Sequence, residues 1–271
     1  MTKFDRDLAQ YQWLFGNVFE KVLPDFLRTT GLYEPMKYAI RYGGKRLRPI
    51  VCLASAVAVG GKPEDALCPA MAIELLHNYT LIHDDLPAMD NDRERRGKPT
   101  VWVKFGEANA ILAGDALLAL AYRVAAKAPR NVAAIVDVLG EKGVGVVQGQ
   151  VEDIRRETLD GSQVSSLRSS DVDFIYTHKT ADLFIAAAAM GGLAGGGTEA
   201  DIAALKDFAL NLGLAFQYED DLLDGDSPYS KEKTEALVKE TTSAAIAALD
   251  RLPGDTTFLR DLAQKLVGRT V

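Results

Sequence analysis

The chain has 271 residues, of which 48% are hydrophobic, and its formal net charge is −7. This length is enough for one large core, so we expect a single domain over residues 1–271. The negative charge argues against a nucleic-acid partner. The two cysteines, Cys52 and Cys68, are too few for a disulfide framework and do not have a metal-type spacing.

Targeting and membrane segments are not visible in the sequence. The N-terminus is charged and has no apolar stretch of the kind a signal peptide contains, so we expect a cytoplasmic protein. The apolar stretch from Pro49 to Val59 is too short to span a bilayer, and the longer run after Ile111 contains Asp115 and Arg123. We therefore expect no membrane span.

Apolar residues recur at helical spacing through most of the chain. Between Leu8 and Leu27 they predict one or two amphipathic helices, and Gly43–Pro49 is typical of a turn that opens a buried helix, with the proline at its first position. Later helices are predicted over Ile50 to Val59, Ala66 to His83, Glu107 to Ala126, Val132 to Asp153 and Val172 to Gly192. Strict period-two runs are absent, so we predict an all-α fold, a bundle of ten or more helices around a central cavity.

Two groups of aspartates each follow an apolar helical run. They are Asp84, Asp85, Asp90 and Asp92 in the first cluster, and Asp220, Asp221 and Asp224 in the second cluster. One acidic run alone is more often a solvated helix end, but two that both end apolar runs predict carboxylates facing a common cavity, where they need a counter-ion. Hard oxygen ligands of this kind suit Mg²⁺, which binds a few carboxylates together with substrate phosphates. The pair of clusters therefore predicts one shared diphosphate.

The acidic motifs and their surroundings carry a specific resemblance. The stretch Asp84-Asp-Leu-Pro-Ala-Met-Asp90, followed by Arg95-Arg-Gly-Lys-Pro-Thr100 and later by Asp220-Asp-Leu-Leu-Asp224, resembles the two aspartate-rich motifs of the trans-polyprenyl diphosphate synthases, the farnesyl and geranylgeranyl diphosphate synthase family. The resemblance covers the chain from about Tyr38 to Asp224. It implies the isoprenoid synthase fold, about three Mg²⁺ ions, a homodimer, and isopentenyl and allylic diphosphates as substrates.

Two groups of basic residues lie where two diphosphates would need neutralising. Lys45, Arg46 and Arg48 crowd the glycine turn, whereas Arg95 and Arg96 follow the first cluster. Arginine offers bidentate donors to phosphate, and glycines let backbone N–H groups approach closely. The resemblance implies that Arg95 holds the allylic diphosphate. It also implies that isopentenyl diphosphate is held by Gly44, Lys45, Arg48, His77 and Arg96.

A third group of candidate residues lies on later helices. By resemblance, Lys179 binds the allylic diphosphate, and Thr180 and Gln217 turn oxygen dipoles toward the developing allylic cation, so these three are the candidate catalytic residues. Gln150 and Asp153 match positions that line the cavity, and we expect them to support the others.

The implied reaction is head-to-tail 1′-4 prenyl transfer, in which the metal ions act as Lewis acids and the departing diphosphate takes the final proton. Two alternatives remain open. A class I terpene cyclase would share the cavity and the first cluster, but it would leave Gly43–Pro49 and Arg96 unexplained. A non-catalytic partner subunit usually loses one acidic cluster, and this chain keeps both.

Product length is expected to depend on residues one turn before Asp84, because the growing tail should extend away from the metal ions along the same helix. Tyr79 and Thr80 lie five and four residues upstream. A tyrosine there would block an elongating chain, and the resemblance to the farnesyl-producing branch of the family then implies a fifteen-carbon farnesyl product. If the ring packs between helices instead, the alternative is a twenty-carbon geranylgeranyl product.

The sequence departs from the family pattern after Asp224. The resemblance implies a flap of about two dozen residues bearing one or two lysines, yet residues 225–233 lead almost directly into the C-terminal amphipathic run. Either the chain lacks this flap, or the sequence is joined across an omitted stretch. The second alternative is favoured, because mobile lids often close over substrates.

Overall fold

The computed structural model describes residues 1–41, 43–157, 169–225 and 227–266, and these are almost entirely helical. The helices are α1 Lys3–Phe19, α2 Tyr33–Arg41, α3 Leu47–Ala58, α4 Leu67–Asp84, α5 Val101–Phe105, α6 Glu107–Ala125, α7 Val132–Glu157, α8 Ser169–Ile175, α9 Asp182–Gly195, α10 Glu199–Asp224, α11 Lys231–Ala248 and α12 Thr257–Leu266. Short 3₁₀ helices cover Asp25–Thr29, Pro63–Ala66 and Leu249–Arg251. The prediction of an all-α bundle is confirmed.

Two elements depart from α-helical geometry. Helical structure continues through the predicted stretch Val172 to Gly192, but Tyr176–Ala181 has π-helical rather than α-helical geometry between α8 and α9. Two short strands, β1 Glu94–Arg95 and β2 Lys98–Pro99, pair as an antiparallel hairpin. Arg96 and Gly97 form its two-residue turn, and both have positive φ angles, 54° and 73°, as such turns require.

Helix α9 lies at the centre of the core, where it contacts α3, α4, α7 and α10. All of its residues except Leu193 are buried, and many of them are alanine or glycine. A Cβ atom on Gly191 would collide with the carbonyl group of Cys52 in α3. In the same way, a Cβ atom on Gly213 of α10 would lie 2.6 Å from the Cα atom of Ala181. Small residues therefore let the helices around the π-helical segment pack closely.

The first cluster sits at the C-terminal end of α4. Helix α4 ends at Asp84, before Pro87, and the chain turns back so that the N–H group of Asp90 donates to the carbonyl oxygen of Asp84 at 2.9 Å. The following hairpin brings Arg95 to within 2.6 Å of Asp85. The structure thus gathers the first cluster and the two arginines that follow it into one compact region.

Boundaries elsewhere differ only slightly from the expectations. The buried helix after the glycine turn begins at Leu47, so Pro49 is its third residue rather than its first. At the other end of the chain, Gly225 ends α10 with a φ angle of 75°, and α11 begins at Lys231. No flap lies between α10 and α11 in the given sequence, and the preference for an omitted stretch stays a prediction.

Helix α6 is the one helix of the described residues that is long and apolar enough to cross a bilayer, but 44% of that stretch is buried inside the protein. A core helix has the same properties, so the absence of a membrane span stays a prediction. Several large apolar side chains of α6 and α7 are nevertheless exposed. They are Ile111, Leu112, Val144, Val147 and Val151, which we call the α6–α7 apolar face.

Candidate active site

Asp84 and Asp85 of the first cluster are held in a partly dry environment, whereas Asp90 and Asp92 are exposed. Burial is the largest cause that raises the pKa of Asp84 to about 7, with a further contribution from the negative charge of Asp90, while Lys179 opposes the shift. Burial likewise raises the pKa of Asp85 to about 6, against the opposing effect of Arg95. A further cation nearby would therefore favour the ionised form of both groups.

Arg95 connects the carboxylates of the first cluster. Its Nε atom donates to Oδ1 of Asp85 at 2.6 Å, and its Nη2 atom donates to Oδ2 of Asp92 at 3.2 Å. Asp85 is buried, with 3% of its surface exposed, whereas Arg95 is half-buried. The guanidinium group therefore lies beside the carboxylates, as expected for a residue that would share a diphosphate with metal ions.

The two basic groups predicted from the sequence meet in the structure. The Nη1 atom of Arg96 donates to the carbonyl oxygen of Gly43 at 2.6 Å, although the residues are far apart in sequence. Gly44 has a φ angle of 102°, and a Cβ atom there would collide with the Arg96 guanidinium group. Lys45 is exposed beside this contact. The glycines are therefore needed both for the turn and for the approach of Arg96.

Arg48 and His77 form a second, more buried part of the cationic site. The Arg48 Nη1 and His77 Nε2 atoms are 3.4 Å apart, and the guanidinium carbon lies 4.8 Å from the centre of the Phe184 ring. Burial lowers the pKa of Arg48 to about 10, so it stays cationic. Burial, and then the charge of Arg48, lower the pKa of His77 well below its usual value, so the imidazole is neutral.

Two nitrogen atoms in this pair are buried and have no hydrogen-bond partner among the described residues. They are Nε of Arg48 and Nδ1 of His77. An unsatisfied buried donor is costly. A phosphate oxygen could accept from either atom, so the pair suits an anionic ligand.

Arg46, which the sequence grouped with the other basic residues, has a different role. Its guanidinium group points inward, pairs with the buried Glu74 and donates to the carbonyl oxygen of Ile40. Its φ angle of 50° turns the backbone at the start of α3. Asn78 donates to the carbonyl oxygen of Glu74 at 2.7 Å. Arg46 therefore fixes the glycine turn to α4 and is not available to grip a phosphate.

The π-helical segment places its side chains toward both acidic clusters. Lys179 forms an ion pair with Asp153 of α7, and its raised pKa also reflects the nearby charges of Asp90 and Asp84, although burial opposes the increase. The Thr180 hydroxyl group donates to Oε1 of Gln217 in α10 at 2.6 Å. Neighbouring residues thus face the first cluster and the helix that carries the second.

Asp221 of the second cluster is buried and held by two protein donors. Gln217 donates from Nε2 to its Oδ1 atom at 2.8 Å, and the Tyr176 hydroxyl group donates to its Oδ2 atom. Asp221 is therefore placed to orient Gln217. Of the other two aspartates in the second cluster, Asp220 is half-buried and Asp224 is exposed. Sequence reasoning missed Tyr176, which gave no signal beyond its place three residues before Lys179.

Gln150 is buried on α7, and its Nε2 atom donates to Oδ1 of Asp90 at 3.2 Å. Gln150 and Asp153 therefore hold Asp90 and Lys179, respectively, in line with the supporting role expected for them.

Tyr79 and Thr80 occupy different environments on α4. The Tyr79 ring packs edge-on against His83, with 4.8 Å between ring centres, and the pKa of its hydroxyl group is raised by burial and then by Asp115 of α6. Thr80 is buried, and its hydroxyl group donates to the carbonyl oxygen of His77 at 2.9 Å. The tyrosine thus packs on the side of α4 that faces α6.

Known proteins resemble this chain over most of its length. Geranylgeranyl pyrophosphate synthase 4 of Arabidopsis thaliana is 44% identical over 216 residues, which cover 77% of this chain and 56% of the relative. The chloroplastic heterodimeric geranylgeranyl pyrophosphate synthase large subunit 1 of the same plant is 44% identical over 204 residues, which cover 71% and 54%. The chain spans a little over half the length of these curated relatives.

A solved structure and a family model agree with these similarities. The apo structure of an FPP/GFPP synthase from Zymomonas mobilis superposes with a TM-score of 0.87 at 33% identity, and the match covers 97% of this chain and 98% of the other. The family model described as polyprenyl synthetase matches residues 29–265, which include both acidic clusters, the glycine turn and the π-helical segment. The chain therefore belongs to the polyprenyl synthetase family.

Proposed function

We propose that the protein is a Mg²⁺-dependent prenyltransferase that condenses isopentenyl diphosphate with an allylic diphosphate. The observation that carries this proposal is the position of the π-helical segment between the two acidic clusters. Lys179 of this segment forms an ion pair with Asp153, and the negative charges of Asp84 and Asp90 help to raise its pKa. Thr180 contacts Gln217 in the helix of the second cluster. One short segment thus places a cation near the first cluster and a hydroxyl group against the helix of the second cluster.

The residues present fit Mg²⁺. Among the described residues, no three acidic, histidine or cysteine side chains already converge as a complete metal site. Mg²⁺ does not need such a preformed site, because it binds through one or two carboxylates and takes substrate phosphates as further ligands. Carboxylates with raised pKa values, such as Asp84 and Asp85, gain from a nearby cation. When bound, Mg²⁺ would supply Lewis-acid stabilisation of the negative charge that develops on the leaving diphosphate.

We assign the basic residues of the site to two separate diphosphate-binding positions. Arg48, His77 and Arg96 form the cationic pocket that we assign to isopentenyl diphosphate, because two of their buried nitrogens need an acceptor. Arg95 and Lys179 lie beside the first cluster and are assigned to the allylic diphosphate. Thr180 and Gln217 present oxygen atoms that can stabilise positive charge on the allyl group without reorganising during the reaction.

The two alternative functions have less support. A class I terpene cyclase has no need of the pocket formed by Arg48, His77, Arg96 and the glycine turn. A non-catalytic partner subunit would not need Lys179 close to Asp84 and Asp90, nor Gln217 bonded to Asp221. The shortened connection after Asp224 is the one feature that favours the subunit.

For product length, we propose geranylgeranyl diphosphate, with farnesyl diphosphate as the second candidate. The curated relatives described above are geranylgeranyl diphosphate synthases. In addition, the Tyr79 ring packs against His83 and toward α6. This supports the hypothesis that the ring packs between helices and does not form the floor of the product tunnel. The presence of a tyrosine five residues before Asp84 is the observation that keeps the fifteen-carbon product as a candidate.

We also propose that the protein forms a homodimer through the α6–α7 apolar face. Val144, Val147 and Val151 lie on one side of α7, and Ile111 and Leu112 are exposed on α6. Five exposed aliphatic side chains on two helices that contact each other form a patch of the kind that associates in water. A second copy is the occupant expected from the family resemblance.

The homodimer can be tested by placing a charge at the centre of this face. Val147→Glu should produce monomers, because a two-fold interface would bring two glutamates together in a dry environment. Trp13→Glu is the matched control, since Trp13 is also an exposed hydrophobic residue but lies on α1. Light scattering after gel filtration measures the mass. A wild-type monomer, or a dimeric Val147→Glu variant, would contradict the assignment.

The metal site can be tested through pH. Because the pKa values of Asp84 and Asp85 are raised to about 7 and about 6, the folded apo protein binds more protons than the unfolded chain between about pH 4 and pH 7, and their contribution to stability falls as pH rises through this range. Mg²⁺ with inorganic diphosphate replaces these protons. It should therefore raise the melting temperature more at pH 8 than at pH 6.

The control for this experiment is Asp84→Asn, which should lose most of the pH-dependent part of the Mg²⁺ effect and reduce turnover by orders of magnitude. Asp220→Asn should also lose turnover if both clusters bind the same diphosphate. Near wild-type activity in either variant would refute the two-cluster site.

The assignment of the two diphosphates predicts separate effects on the two substrates. Arg48→Ala should raise KM for isopentenyl diphosphate, and Lys179→Ala should raise KM for the allylic diphosphate, each by roughly ten- to a hundredfold because one charge-assisted hydrogen bond is lost. Steady-state kinetics with one substrate varied at a time gives both constants. Equal effects on both substrates in each variant would show that the division is wrong.

The product can be identified by incubating the purified chain with isopentenyl diphosphate, dimethylallyl or geranyl diphosphate and Mg²⁺, and then chromatographing the dephosphorylated products. We expect a twenty-carbon alcohol from the wild type and an unchanged product from Tyr79→Ala. A fifteen-carbon product that becomes longer in Tyr79→Ala would instead establish Tyr79 as the tunnel floor. Formation of no prenyl product would refute the proposed enzyme.

A further inference from the structure

A charged network joins His178 of the π-helical segment to Asp182 and Lys142, and none of these three side chains is assigned to a diphosphate. Asp182 begins α9 and is 1% exposed, although the residues that follow it are apolar. Its Oδ2 atom lies 2.7 Å from Nδ1 of His178, and its Oδ1 atom lies 3.1 Å from Nζ of Lys142 on α7. His178 and Asp182 are four residues apart, so their hydrogen bond spans the last turn of the π-helical segment.

Helix α7 is shaped to receive this turn. A Cβ atom on Gly145 would collide with the carboxylate of Asp182, and a Cβ atom on Gly149 would collide with the backbone of Lys179. Lys142, Gly145 and Gly149 are spaced so that they share one face of α7. On this face, the two glycines leave room for the π-helical turn, and Lys142 places a positive charge beside Asp182.

The ion pair between Asp182 and Lys142 indicates a role beyond stability. Asp182 is buried and Lys142, which also pairs with Glu141, is half-buried, so desolvation costs energy that their attraction only partly returns. A well-packed apolar pair often stabilises a fold as well or better. A carboxylate does, however, accept a directional bond from His178, and this bond fixes how the backbone turns at the next two residues. Those residues are Lys179, which pairs with Asp153, and Thr180, which contacts Gln217.

We propose that Lys142, Asp182 and His178 are positioning residues that hold the π-helical segment so that Lys179 and Thr180 face the allylic diphosphate. The proposal rests on the proposed prenyltransferase function and extends it to residues outside the substrate contacts. Single π turns inside α-helices occur frequently at functional sites, and here Asp182 anchors the turn to Lys142 of α7. A displacement of about 1 Å at Lys179 is enough to weaken binding and catalysis.

The test is Asp182→Asn, which keeps the size of the side chain but removes its charge. We expect KM for the allylic diphosphate to rise about tenfold, the effect of one misplaced charge-assisted contact, while KM for isopentenyl diphosphate stays within about twofold. Calorimetric binding of dimethylallyl S-thiolodiphosphate with Mg²⁺ gives a readout that does not depend on turnover. Its Kd should rise by the same factor as the allylic KM.

Two further variants separate positioning from simple stabilisation. Lys142→Met combined with Asp182→Leu replaces the ion pair by apolar groups; it should recover the melting temperature but not the allylic KM or the Kd of the analogue. Asp201→Asn removes another buried carboxylate, which caps α10 through Thr198, and should lower stability without changing the ratio of the two KM values.

The outcomes distinguish this proposal from the underlying function. If the wild type neither binds the analogue nor forms product, the prenyltransferase function itself fails. If the wild type does both, but Asp182→Asn leaves the allylic KM and the Kd unchanged or raises both KM values equally, the positioning role is wrong. Recovery of the allylic KM by the apolar pair would also overturn it, because the network would then only support packing.

Discussion

The site depends on carboxylates that are partly removed from water and held close to one another. Burial and mutual repulsion raise the pKa values of Asp84 and Asp85, and the protein supplies only partial compensation. Arg95 is shared with Asp92, and Lys179 is shared with Asp153, so neither cation is fully committed to the first cluster. The negative charge of the first cluster is therefore only partly neutralised by the protein. A divalent cation that binds together with a diphosphate can complete the neutralisation.

The helical scaffold makes this arrangement possible through close backbone approach. Gly191 lets α9 pack on the carbonyl group of Cys52, and Gly213 lets α10 pack on Ala181. Gly149 lets α7 meet the backbone at Lys179. Because these contacts involve backbone rather than flexible side chains, the position of the π-helical segment is set by several helices at once.

Much of the fold and of the site could be predicted because the signals are local. Helical periodicity, the acidic clusters and the glycine turn each lie within a short stretch of sequence, and together they were specific enough to indicate the family. The inward orientation of Arg46 was not predictable, because it depends on a left-handed backbone angle and on Glu74, which lies in another helix. The π-helical segment was also missed, since its hydrogen-bond register depends on contacts with α7 that periodicity does not encode.

The contact between Arg96 and Gly43 has a consequence for how two ligands influence each other. It links the hairpin that carries Arg95 to the turn that carries Lys45, so we expect ordering of one loop to favour ordering of the other. A ligand that orders one loop pays part of the entropy for ordering the other. The second ligand then binds to a partly ordered site, and this linkage has the same magnitude whichever substrate arrives first.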